Sequence, residues 1–122
     1  MASFSLVPNS TALVLIDLQK GITSFPIEPR PSGELLHNAG TLADRFRQLG
    51  APVFPVHLAF PTGEAALHLM TEAKPALPAT EPPGWHEPAL ELQESDISIL
   101  KRQWGAFYGT ELGLQQSLEE KK

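Results

Sequence analysis

Apolar residues fall along this chain in two rhythms. Thr11 to Ile16 (TALVLI) is apolar without alternation and closes on Asp17, the pattern of a parallel strand covered on both faces. From Ser32 to Leu49 the positions Leu35, Leu36, Ala39, Leu42, Ala43, Phe46 and Leu49 recur at helical spacing. Ser32 stands where a helix cap is expected, and Gly50 where the helix should stop. Pro52 to Phe60 (PVFPVHLAF) returns to an apolar run. Pro55 inside it removes one ladder donor and marks a weak point or a bulge. Strand, helix, strand makes a βαβ unit, expected to cross over right-handed.

The rhythm then loosens. Gly63 to Lys74 has helical propensity, with Ala65, Ala66, Leu69, Met70 and Ala73 on one broad side. Pro75 to Pro88 holds five prolines, Gly84 and Trp85, and is expected to be irregular, either a flap over a site or a surface loop. Asp96 to Leu100 reads as a third strand closed by Lys101, and Thr110 as the start of a final helix weakened by Gly113. The fold class expected is α/β: a Rossmann-like three-layer α/β/α arrangement on a parallel sheet, in a single domain over 1–122. Strand one is central in a doubly wound sheet. With three strands available, one of its flanks lacks a partner, and an exposed apolar edge invites pairing with another chain. Self-association into a homo-oligomer is therefore expected.

Composition narrows the function classes. The chain has 122 residues and a net charge of -5, with no basic cluster, which argues against nucleic acid as a partner. Its longest apolar run is far too short to span a bilayer, and its start lacks the features of a signal peptide. Without cysteine there is no disulfide and no thiolate metal site. A cytoplasmic protein without a membrane partner is the expectation.

Ligands of open parallel sheets bind at the carboxyl ends of the strands, where Asp17 and Lys101 both stand. A carboxylate beside an ammonium favours ionisation of both, so the aspartate could take a proton while the lysine holds it. The bland alternatives are a turn-capping aspartate and a solvated lysine. His57 ends strand two and could be a base, a ligand or simply hydrogen-bonded. His37, His68 and His86 show no metal-site spacing. Gly21 in Gln19-Lys20-Gly21 belongs to no phosphate-loop pattern. Ser98 has no His/Asp arrangement suggesting activation. Trp104, Phe107 and Tyr108 could line a pocket or pack a core.

These residues also carry a resemblance. Thr11 to Gly21 (TALVLIDLQKG), followed by a helix and PVFPVHLAF, resembles the start of the isochorismatase-like hydrolase family. Lys101 to Leu112 (KRQWGAFYGTEL) resembles that family's second conserved block. The resemblance implies a six-stranded parallel sheet between helices and an Asp-Lys-Cys triad, with Asp17 matching the general base and Lys101 the lysine. In active members the cysteine attacks an amide-type carbon to form a covalent intermediate, while isochorismatases cleave a vinyl ether without it. It implies a small-molecule substrate, with Gln19, Phe25, Trp104 and Tyr108 as candidate substrate-binding residues and no cofactor. The metal site of nicotinamidase-type members needs Asp-x-His after strand two, whereas here His57 and Ala59 hold those positions, so no metal is expected. The chain matches about the first two-thirds of a family member, apparently incomplete at its C-terminus. Its Trp-Gly-Ala-Phe-Tyr-Gly-Thr run resembles a subgroup whose cysteine is replaced by glycine. Two functions follow: a hydrolase of small amide-type or vinyl-ether substrates, inactive as this chain, or a non-catalytic relative or fragment serving as a binding or oligomerisation module.

Overall fold

A computed structural model describes residues 3–60 and 80–120. The helical propensity at 63–74, with His68, and the first part of the Pro-rich segment lie outside the described residues. After a 3-10 turn at Pro8–Ser10 come β1 (Leu13–Ile16), α1 (Lys20–Thr23), α2 (Ser32–Gln48), β2 (Val53–Leu58), β3 (Ile99–Lys101) and α3 (Leu112–Glu120). The sheet is parallel throughout, in the order β1-β2-β3. With helices on both faces, this is the expected three-layer α/β/α arrangement. The apolar β2 runs down the middle and is the most buried strand. β1 lies at the edge, paired on one side only among the described residues.

Pro55 sits in β2 without a bulge, since the register runs unbroken through Leu15↔Pro55 and Ile16↔Val56. Parallel strands alternate their backbone groups between neighbours. Leu13 and Asp17 donate to Pro52 and Val56, whereas Ile97 donates to Val53 and Ala59 to Lys101. The odd-numbered residues of β2 thus face β3, and the missing Pro55 donor falls before β3 begins at Ile99. The proline shortens the β2–β3 ladder instead of distorting β2.

β3 starts later than the expected Asp96 for a second reason. The Asp96 carboxylate accepts the Gln93 amide at 2.9 Å and two guanidinium bonds from Arg47, at 2.9 and 2.6 Å. That side chain is 1% exposed, so the pair fastens the last turn of α2 to the chain entering β3. The carboxylate hydrogen bond is foremost in raising the Arg47 pKa, against the opposing effect of burial. Two helix starts also differ from expectation. Ser32 is the first residue of α2, and the cap position belongs to Pro31, which offers no side-chain bond. α3 begins at Leu112, whose amide is received by the Thr110 hydroxyl at 3.3 Å. Gly50, with φ of 75°, ends α2 as expected and donates to Arg47.

The core gathers Phe54, Val56, Ile99 and Leu112, with Ala12, Val14, Ile97 and Ala106 packed against it. Phe54 and Leu112 are fully enclosed, each burial contributing roughly 1.5–3 kcal/mol. This packing holds the three strand ends in a fixed relation, which is what the site requires.

Candidate functional site at the carboxyl ends of the strands

Asp17 is the residue at which β1 ends, and its backbone shows why. Its φ of 64° lies in the left-handed region that non-glycine residues seldom enter, although aspartate tolerates it better than most. Its amide still donates to Val56 at 2.9 Å, so the chain leaves the ladder immediately after that bond. Lys101 closes β3, two strands away and about 10 Å across the sheet. The lysine stem and the aspartate side chain, reaching toward each other, close that gap. The Lys101 Nζ lies 3.1 Å from Asp17 Oδ1 and donates its hydrogen bond to the Trp104 carbonyl, also at 3.1 Å. Asp17 Oδ1 is sealed from solvent and receives no aligned donor. The result is a carboxylate held by charge at its sealed Oδ1 on a side chain that is still 36% exposed, and the exposed part is chemically suited to taking a proton or a ligand's N–H.

Gln19 completes the turn. With β1 gone from the ladder after Asp17, the backbone of Leu58 faces an empty place, and the Gln19 amide fills it. Leu58 N–H donates to Gln19 Oε1 at 2.7 Å, and Gln19 Nε2 donates to the Leu58 carbonyl at 2.8 Å. Nε2 also reaches the Trp85 carbonyl at 3.3 Å. Gln19 is 0% exposed. Its side chain stands in for a strand residue.

The Pro-rich segment docks on this turn. Lys20 and Gly21 donate to the carbonyls of Glu87 and Trp85, and Ala89 donates to Leu18. The Trp85 indole lies so close over Gly21 that an added Cβ would sit 2.2 Å from its Cδ1. Trp85 also meets the Phe60 ring edge-on, centroids 4.8 Å apart. Sequence reasoning left both Gly21 and Trp85 without a role. Their signal was faint: a glycine outside any turn motif, and a large aromatic within a proline-rich stretch.

Phe25 stands apart from the Asp17–Lys101 pair. It lines an open, mostly apolar groove of about 940 Å³ with Ile22, Ile27, Phe60 and Trp85, rimmed by Lys20 and Glu87. Trp104 and Tyr108 lie on the loop after β3, 60% and 77% exposed. Through its carbonyl Trp104 joins the pair, while Tyr108 projects outward. The structure thus gathers Asp17, Lys101 and the Trp104 backbone, buries Gln19 against Leu58 and Trp85, and leaves Phe25 to a neighbouring groove.

The histidines divide by environment. His57 is buried and hydrogen-bonds Ser98 Oγ through Nε2. Burial, reinforced by the charge of His86, lowers its pKa from 6.5. His86 instead pairs with Glu81, which also accepts the Phe60 amide at 2.8 Å. Burial alone would raise the Glu81 pKa; the bonds from His86 and Phe60, with the charges of His86 and Arg102, hold it below 4.5. Among the described residues no cluster of three or more His, Cys, Asp or Glu could hold a metal ion, and no helix is long and apolar enough to cross a membrane.

An isochorismatase domain model matches residues 11–122. The chain belongs to the isochorismatase family. It is 44% identical over 109 residues to the uncharacterized isochorismatase family protein YecD of Escherichia coli O157:H7, covering 88% of this chain and 58% of that protein. To YwoC of Bacillus subtilis, described in the same words, it is 44% identical over 110 residues, covering 88% and 56%. An isochorismatase family protein structure from Burkholderia thailandensis superimposes with a TM-score of 0.82 at 38% identity, over 94% of this chain and 61% of that one. The chain therefore spans less than two-thirds of the length of these relatives. The family resemblance read from the sequence is borne out, and so is the absence of the family's cysteine, since these 122 residues contain none.

Proposed function

We propose that this chain is a non-catalytic representative of the isochorismatase family, whole or in part, that binds a small planar polar molecule at the Asp17–Lys101 crevice. One observation carries this reading: a partly exposed carboxylate held by an ammonium is present, and no cysteine nucleophile accompanies it within these residues. In this reading Asp17 accepts an N–H or O–H of the ligand and Lys101 fixes the carboxylate. Gln19 holds the turn after Asp17 by bonding Leu58, and the Trp104 carbonyl holds the Lys101 ammonium.

The same partly exposed carboxylate favours a second reading, a hydrolase in which Asp17 is the proton acceptor and the attacking group comes from outside these residues. Calorimetry with benzamide, a planar primary amide, separates the two when paired with an assay for released ammonia. The binding reading expects heat of binding, affinity reduced about tenfold by Asp17→Asn through loss of one hydrogen bond, and no ammonia. Ammonia release abolished by Asp17→Asn would establish the hydrolase, and absence of both signals would remove benzamide-like ligands from this site.

A further inference from the structure

Asp17 keeps a left-handed backbone, which a residue with a Cβ holds only where its surroundings impose it. Before the turn, the Asp17 amide is tied to Val56 of β2. After it, the backbone is tied to a different part of the chain. The Leu18 carbonyl accepts from Ala89 at 3.0 Å, and the amides of Lys20 and Gly21 donate to Glu87 and Trp85, both at 2.9 Å. Residues 85–89 therefore run as a short antiparallel strap along residues 18–21, with Gln19 opposite Pro88. That pair is of the non-hydrogen-bonded kind, so the proline, which lacks an N–H, costs the strap no bond. The Gln19 carbonyl is left to accept from Ile22 and Thr23 at the start of α1.

The strap has its own footing at the end of β2. The Phe60 amide donates to Glu81 at 2.8 Å, and the Phe60 ring meets Trp85 edge-on. Two tight turns, in which Trp85 donates to Pro82 and Glu87 to Gly84, set the indole over Gly21. The Lys20–Glu87 ion pair is exposed at both ends and adds little. The indole and the backbone bonds carry the contact.

We propose that Trp85 is the positioning residue of the Asp17 carboxylate. Its ring packs on Gly21, and its carbonyl receives the Gly21 amide and Gln19 Nε2. Together these hold the turn in the left-handed form that brings Asp17 Oδ1 to the Lys101 ammonium. Without the ring the strap loosens, Asp17 relaxes to an ordinary backbone conformation, and its carboxylate leaves the lysine.

This inference rests on the reading of Asp17 as the ligand-holding group, but its test uses no ligand, so the two fail separately. Nuclear magnetic resonance of the isotope-labelled chain reads the carboxylate directly. In Trp85→Ala the Asp17 carboxyl carbon, assigned by its loss in Asp17→Asn, should shift. The Asp17 and Leu58 amides should exchange about tenfold faster, as for the loss of one hydrogen bond, while those of Phe54 and Val56 keep their rates. Trp85→Phe restores a ring over Gly21 and should return the carbon and both amides to their original values. A tryptophan that merely supports the fold would instead loosen Phe54 and Val56 along with the turn. If Trp85→Ala fails to fold, the unaltered chain supplies the measurement. Its Asp17, Gly21 and Ala89 amides should open as one unit, with a common denaturant dependence of exchange. An Asp17 carbon and amide unmoved in Trp85→Ala, a loss of protection spread over Phe54 and Val56, no rescue by Trp85→Phe, or an Asp17 amide still protected once Gly21 and Ala89 have opened would overturn the proposal.

Discussion

Asp17 and Lys101 share one ion contact of 3.1 Å but very unequal surroundings: the lysine side chain is 4% exposed and the aspartate 36%. The consequences of cutting the pair are therefore unequal. Asp17→Ala strands a buried ammonium and puts alanine at a left-handed backbone position. Each effect is destabilising, and together they should cost about 2–4 kcal/mol. Lys101→Met keeps the stem's packing and leaves behind a carboxylate that water can reach, so it should cost less than half as much. Urea denaturation of the two variants checks the order, and equal losses would contradict it.

The Trp85 indole over Gly21 makes a sharp steric prediction. Gly21→Ala should destabilise by about 1–3 kcal/mol through overpacking, with a change in tryptophan fluorescence as the indole moves. Combining it with Trp85→Ala should give a loss smaller than the sum of the single changes, because the obstruction has gone. Simple additivity in the double-mutant cycle would show that the ring does not rest on the glycine.

Gln19 is expected to be more sensitive than a surface glutamine. Gln19→Ala leaves the Leu58 amide and carbonyl without their partner, at about 1–3 kcal/mol for each group that water cannot reach. Gln19→Glu keeps the acceptor for the Leu58 amide but sets a carboxylate oxygen against the Leu58 carbonyl, and should be at least as damaging at pH 7. Thermal melts of both variants provide the measurement. A melting temperature unchanged in Gln19→Ala would mean the amide is dispensable to the strand ends.

His57 and Glu81 contribute to stability with the same sign. Both have folded pKa values below their ordinary ones, so the unfolded chain binds more protons through each transition. The His57 contribution is full above about pH 6.5 and fades as pH falls toward its lowered folded value. Glu81 adds a second loss below its ordinary carboxylate range. Melting temperature should decline from pH 7 to pH 5, and His57→Gln should flatten that part of the profile. A variant melting curve as steep in pH as the original would assign the decline to other groups.

The sequence by itself determined the order of elements, the placing of both charged residues at strand ends and the family, because these follow from local rhythm and contiguous motifs. Uninterrupted apolar runs have few folds available other than buried parallel strands, and an amphipathic stretch between two of them becomes the crossover helix. Contacts between distant segments decided the rest. Asp96 read as a strand start until Arg47 claimed its carboxylate, and Pro55 read as a bulge until the ladder's alternation placed its missing donor beyond the reach of β3. Gln19 sits in a polar tripeptide that suggests a solvent-facing loop, yet the left-handed turn at Asp17 sends its amide inward to replace a lost strand residue. Gly21 acquires its reason only when Trp85 arrives from far along the chain. Backbone hydrogen bonds must be satisfied wherever the chain leaves a sheet, and which side chain satisfies them depends on tertiary approach, which local pattern does not encode.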